Sequence, residues 1–145
     1  METRPDTMPE RAFEAHEHSD LRRGIDRMHA VGVMRGTKAE LSAGVLEVLR
    51  WVETVLEPHA QWEDRWLYPE MDERAGTVWA TKLMSFEHQQ IREAAATLAS
   101  ARIHLSEPGA SLEATEVRAS IFALEALIRA HMQREERFLI PLLET

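Results

Sequence analysis

Along four stretches of the chain, apolar residues recur at intervals of three and four, and nowhere at the interval of two that marks a strand. The first stretch runs from about Glu10 to Val33 and stops at the pair Gly32 and Gly36. Thr37, with Glu40 three residues on, has the pattern of a capping box and predicts a second helix from there to about Leu67. Pro69 and Gly76 mark the next break, and Thr77 is the predicted N-cap of a third helix reaching about Leu105. Ser106, Glu107, Pro108 and Gly109 interrupt it, and Ser111 starts a fourth helix that ends near Pro141. Connections this short favour antiparallel neighbours, so the pattern predicts an all-α protein, an up-down-up-down antiparallel four-helix bundle over residues 10–145. Residues 1–9, with Pro5 and Pro9 and no periodicity, are expected to form a flexible tail.

The core stripes change chemistry without changing phase. In the second helix Val45, Val48 or Leu49, Val52 and Leu56 are followed by His59, Glu63 and Trp66; in the fourth, Ile121, Leu124 and Ile128 are followed by His131, Glu135 and Phe138. The third stripe places His88 between Met84 and Ile91, and the first reads His18, Leu21, Ile25 and Met28. Each helix therefore points one histidine inward, and two add a glutamate. Burying a carboxylate costs several kcal/mol unless it is paired or binds a metal, and these stripes offer no obvious cationic partner. A metal cation would meet that need.

An HxxxE spacing is too common to carry this alone, since about one is expected by chance among 7 histidines; an internal repeat strengthens it. Residues 59–69 read HAQWEDRWLYP and residues 131–141 read HMQREERFLIP, at an offset of 72. Upstream, Glu17, His18, Leu21 and Arg22 are echoed by Glu87, His88, Ile91 and Arg92, at an offset of 70. The chain reads as a duplicated helical hairpin whose two halves meet at one central site.

Register agrees. Antiparallel residues at one height flank their turn symmetrically, and the midpoints of His18 and His59, His59 and His88, and His88 and His131 fall near residues 38, 73 and 109, all predicted turns. His29 would put the first midpoint inside the second helix and is set aside as an ordinary core or end-layer histidine. His16 and His104 are off-phase. Arg22 and Arg92, one turn beyond His18 and His88, are either partners of carboxylates beside the centre or surface residues. Trp66 and Phe138 are expected to pack in the core. Tyr68 lies about 140° from Glu63 on an ideal helix and is not counted as a ligand. Pro58, with Ala130 opposite in the repeat, is expected to kink the second helix before His59.

Two HxxxE pairs suggest two metals bridged by two carboxylates. Four imidazoles and two carboxylates without sulfur suit iron, manganese or zinc and leave open positions for dioxygen, peroxide or nitric oxide. At this point the pattern resembles the hemerythrin-like family, the HHE cation-binding domain: a His in helix one, HxxxE in helix two, EH in helix three and HxxxE before a proline in helix four, from about residue 10 to 143. The resemblance implies a non-heme di-iron centre with His18, His59, His88 and His131 as terminal ligands and Glu63 and Glu135 as bridges. The oxygen-carrying members have a second histidine four residues after the third-helix ligand and an aspartate near the last ligand; here these positions hold Arg92 and Glu135. That departure favours a more symmetric, more open centre over reversible dioxygen storage.

Composition narrows the classes. There is no cysteine, which excludes sulfur-ligated metals and thiol nucleophiles. The net charge of -8 disfavours nucleic acid and anionic membranes as partners. No secretion signal or spanning segment is read, so the expected compartment is the cytoplasm. Two other function classes fit the same residues: a small redox enzyme with catalase-like peroxide scavenging, and a metal-free helical interaction module.

Overall fold

The computed structural model describes residues 10–105 and 112–144. Its elements, in chain order, are α1 (Glu10–Val33), α2 (Lys38–Trp51), a π turn (Val52–Leu56), α3 (Glu57–Trp62), a second π turn (Glu63–Leu67), α4 (Tyr68–Ala75), α5 (Trp79–Leu105), α6 (Leu112–Arg134), a third π turn (Glu135–Leu139) and a 3-10 turn (Ile140–Glu144). Among the described residues there is no strand. The pieces run together into four helical rods: α1, α2 through α4, α5, and α6 with its C-terminal turns. The expected tail at 1–9, the expected break at 106–109 with the N-cap at Ser111, and the His16 side chain lie outside the described residues.

The first rod boundary follows its sequence signal. Thr37 Oγ1 accepts from the Glu40 backbone N–H at 3.1 Å and Glu40 Oε1 accepts from the Thr37 N–H at 3.2 Å, the reciprocal capping box. The second follows one of its two signals, Gly76, and not the other, Pro69. The expected stop at Leu67 and Pro69 is absent, and the rod continues to Ala75, where Gly76 turns the chain with φ +72°. There the Gly76 and Thr77 N–H groups close on the Glu73 and Asp72 carbonyls.

Pro69 is tolerated because of what precedes it. Each of the three π turns is closed by an i→i+5 bond, Glu57 N–H to Val52 O, Tyr68 N–H to Glu63 O, and Ile140 N–H to Glu135 O. The next residue in each case is proline: Pro58, Pro69 and Pro141. A proline lacks the N–H for the carbonyl four residues back, and its ring collides with that carbonyl. Widening the preceding turn by one residue relieves the collision without ending the helix.

Partner numbers fall along one rod as they rise along its neighbour. Between the first and second rods the Arg27–Glu47 pair is followed by Glu17–His59 toward the other end. Between the second and third, Arg102–Ser42, Arg92–Glu57, Ser85–Asp64 and Thr81–Asp72 make the series. Between the first and last, Arg118–Gly32, His29–Glu125 and His18–Glu136 do so. Close approach is set partly by glycine: a Cβ at Gly24 would lie 2.2 Å from the Trp51 ring.

Two apolar clusters result. The larger includes Leu21, Ile25, Met28, Val45, Leu98, Ile121, Leu124 and Ile128; the smaller includes Leu67, Met71, Met84, Leu139 and Ile140. Each such side chain removed from water contributes roughly 1.5–3 kcal/mol. Along the second, third and fourth rods the inward histidine falls between the two clusters, and along α1 His18 stands one turn before the larger cluster, so the polar layer has apolar packing on both sides. No helix among the described residues is long and apolar enough to cross a membrane.

Candidate metal centre

His18 from α1, His59 from α3, Glu63 from the π turn that follows, His88 from α5, His131 from α6 and Glu135 from the last π turn all converge in this layer, and all six are buried. Glu63 is 1 % exposed and Glu135 0 %. The two oxygens of each carboxylate face different histidines. Glu63 Oε2 lies 3.4 Å from His59 Nε2 and 4.0 Å from His18 Nε2, while Oε1 lies 3.2 Å from His88 Nε2 and 3.9 Å from His131 Nε2. Glu135 Oε2 lies 3.5 Å from His18 Nε2, and Oε1 contacts His131 Nε2. Two compact donor groups follow, His18, His59 and Glu63 in one and His88, His131, Glu63 and Glu135 in the other.

The opposite edge of each imidazole meets a second carboxylate. Nδ1 of His18 lies 3.0 Å from Glu136, Nδ1 of His88 3.1 Å from both oxygens of Asp64, Nδ1 of His131 3.1 Å from Glu87, and Nδ1 of His59 3.9 Å from Glu17. For His18, His88 and His131, where the contact is of hydrogen-bond length, a carboxylate at Nδ1 draws the ring proton to that edge and leaves the Nε2 lone pair facing the centre. Arginines hold these outer carboxylates in turn: Arg22 on Glu136, Arg134 on Glu87, and Arg92 on Glu57 at 2.9 Å with Asp64 at 3.7 Å. Of the two readings of Arg22 and Arg92, pairing beside the centre is the one the structure takes.

Burial opposes ionisation of Glu135, yet hydrogen bonding with Glu63, His131 and His18 holds it well below the usual carboxylate range. Burial likewise opposes a charge on His131, but the hydrogen bonds and charges of Glu135 and Glu87 outweigh it and raise its pKa. Both shifts describe a layer that holds Glu135 ionised and favours positive charge on the His131 side of it.

The offset of about 140° expected of Tyr68 turned it away from Glu63, and the structure instead brings it to the centre. Tyr68 is buried, and its hydroxyl donates to Glu135 Oε1 at 2.8 Å, with His88 Nε2 at 3.3 Å and His131 Nε2 at 3.4 Å. The 140° offset assumed an α-helix; the π turn adds one residue to the turn, so the fifth residue after Glu63 returns to its face. The same shift overturns the expectation for Trp66 and Phe138. They are 47 % and 64 % exposed, and Leu67 with Tyr68, and Leu139 with Ile140, take the inward positions. The signal that could have shown this was the proline that follows each segment. His29 lies outside the cluster, its Nδ1 2.8 Å from Glu125, and His104 is exposed.

The cavity inside this ring has a volume of about 20 Å³, with Leu21, Leu56, Ile91, Ile128 and Met132 on its apolar side. That is room for a water-sized ligand and not for an organic substrate. Four imidazole nitrogens with two buried carboxylates, without sulfur, form a donor set that suits a divalent or trivalent cation. The donor set therefore fits a metal. No curated protein and no solved structure matches the chain. The family model described as the hemerythrin HHE cation-binding domain matches residues 12–143. The chain belongs to that family.

Proposed function

We propose that this protein is a non-heme di-iron protein of the hemerythrin-like type that binds or reacts with a small ligand such as dioxygen, peroxide or nitric oxide. In this reading His18 and His59 hold one ion, His88 and His131 hold the other, and Glu63 and Glu135 bridge them. The observation that carries it is the division of labour at the two buried carboxylates, each with one oxygen toward each histidine pair. The fold is read as an up-down-up-down bundle made from a duplicated hairpin, with the twofold relating the two donor groups. Iron supplies a redox-active Lewis acid with positions for a small ligand; manganese or zinc would fit the same donors.

The chain's own residues do the rest. Glu136, Asp64 and Glu87 fix the orientation of the His18, His88 and His131 rings from behind, Glu17 stands 3.9 Å behind His59, and the two apolar clusters keep bulk water out. Tyr68 places a hydroxyl on the His88 and His131 side, where it can donate a proton to Glu135 or give it up and serve as a further oxygen donor. Its repeat counterpart is Ile140, so the two donor groups differ in this one polar group.

The test is iron, manganese and zinc per chain by elemental analysis on protein purified without an affinity metal column, with the absorption spectrum recorded in air. About two irons per chain and a near-ultraviolet oxo-type band are expected for this class of centre. Glu63→Ala and Glu135→Ala each lower the iron content, and Glu93→Ala, at an exposed position of α5, does not. Metal-free protein whose melting is unchanged by chelation and iron reconstitution would sink the reading.

A further inference from the structure

Among the described residues, the part of the cavity lining that is not fully buried lies on one side. Among its lining residues Val52, Glu57 and Arg92 alone are not buried, and they lie together where the second rod faces α5. Glu57 and Arg92 close that side with a two-pronged ion pair: Arg92 Nε lies 3.0 Å from both oxygens of Glu57 and an Nη 2.9 Å from Oε1. Asp64, the carboxylate on His88 Nδ1, is the guanidinium's second neighbour at 3.7 Å.

The opening breaks the internal symmetry. Glu57 stands between the π turn at Val52–Leu56 and Pro58, and the fourth rod has neither, because Ala130 replaces Pro58 and α6 is regular through that region. The repeat counterpart of Glu57 is Arg129, and the counterpart of Arg92 is Arg22, which is bound to Glu136 over a surface cleft outside the cavity. An arginine balanced by a partly exposed carboxylate therefore lines the cavity at one place.

We propose that Arg92 and Glu57 are the gate to this cavity and that Arg92 selects small anions, exchanging Glu57 for the incoming ligand. The inference rests on the metal reading above. An anion approaching an acidic protein of net charge -8 is repelled until it meets a cation, and a guanidinium that already presents two parallel donors can transfer them to it. The exchange is cheap because both partners are partly exposed, where an ion pair is weak. A neutral diatomic gains nothing from the guanidinium and has only to pass it.

The experiment uses the iron-loaded full chain and two probes, azide on the oxidised protein and nitric oxide on the reduced protein, with association followed by stopped-flow absorption and iron counted for every variant. Glu57→Gln removes the counter-charge and speeds azide about tenfold, with nitric oxide altered less than about twofold. Arg92→Gln slows azide by a similar factor, and Arg92→Lys restores most of the rate. Should Arg92→Gln fail to load iron because Asp64 loses its partner, Glu57→Gln decides alone. Equal acceleration of both probes would mean a simple plug and overturn the selection; unchanged azide rates with a normal azide band would overturn the gate and leave the metal centre standing. Wild-type protein without iron or an azide-dependent band would overturn both.

Discussion

Glu63 and Glu135 are the most deeply buried carboxylates among the described residues, and moving a carboxylate fully out of water costs several kcal/mol even after relaxation. Imidazoles that keep their protons at Nδ1 offer Glu63 and Glu135 lone pairs at Nε2, so neutral histidines alone leave that cost standing; cations bound between them would remove it. Tyr68 sharpens the point because its hydroxyl is aimed at Glu135 from the side of His88 and His131. Tyr68→Phe should therefore keep close to two metals per chain while altering the absorption spectrum of the iron-loaded protein in the visible, where a phenolate donor to iron absorbs. A spectrum identical to wild type would make Tyr68 a proton donor to Glu135 and nothing more. At this scale the sequence was informative about His18, His59, Glu63, His88, His131 and Glu135, because stripe phase and repeat position agreed for each. It pointed Tyr68 away from the centre, because the direction of that side chain depends on a backbone feature that an ideal helical wheel omits.

That feature belongs to the elements. Rod number and the first capping box were legible, because Thr37 and Glu40 sit at fixed spacing and the 3.6 period holds over long windows. Pro69 was misread as a stop: proline breaks a regular α-helix, but three prolines here each follow a widened turn that accommodates them. The outer carboxylates were visible only as matched letters, Glu17 with Glu87 and Asp64 with Glu136; the partner each would take required the rods to be placed. The result crosses the hairpins. Asp64 of the second rod steadies His88 of the third, and Glu136 of the fourth steadies His18 of the first. Asp64→Asn and Glu136→Gln should each lower metal affinity about 10- to 100-fold in a chelator competition, with little change in helix content. Asp20→Asn, at a surface pair with Arg23, serves as the control and should do nothing. Affinities within a factor of two of wild type would show that Asp64 and Glu136 only decorate the rims of the rods.

For the molecule as a whole, the polar layer divides one apolar core into two, so the packing that would otherwise join the clusters is replaced by six buried ionisable side chains. A four-helix protein of this length can fold on its apolar stripes, and it carries this layer at a loss unless something binds there. Binding to the native state alone adds RT ln(1 + [L]/Kd), about 4 kcal/mol when free metal exceeds the dissociation constant a thousandfold. For a chain near 150 residues each kcal/mol moves the melting temperature by about 2–4 °C, so reloading the chelated protein should raise it by about 10 °C. Calorimetry at several buffered free-metal concentrations checks this: the midpoint should climb with the logarithm of free metal, and Glu63→Ala should flatten the slope. A wild-type midpoint indifferent to metal would mean that the layer satisfies itself through its histidine–carboxylate contacts. The stability of the bundle would then have to come from the two apolar clusters alone.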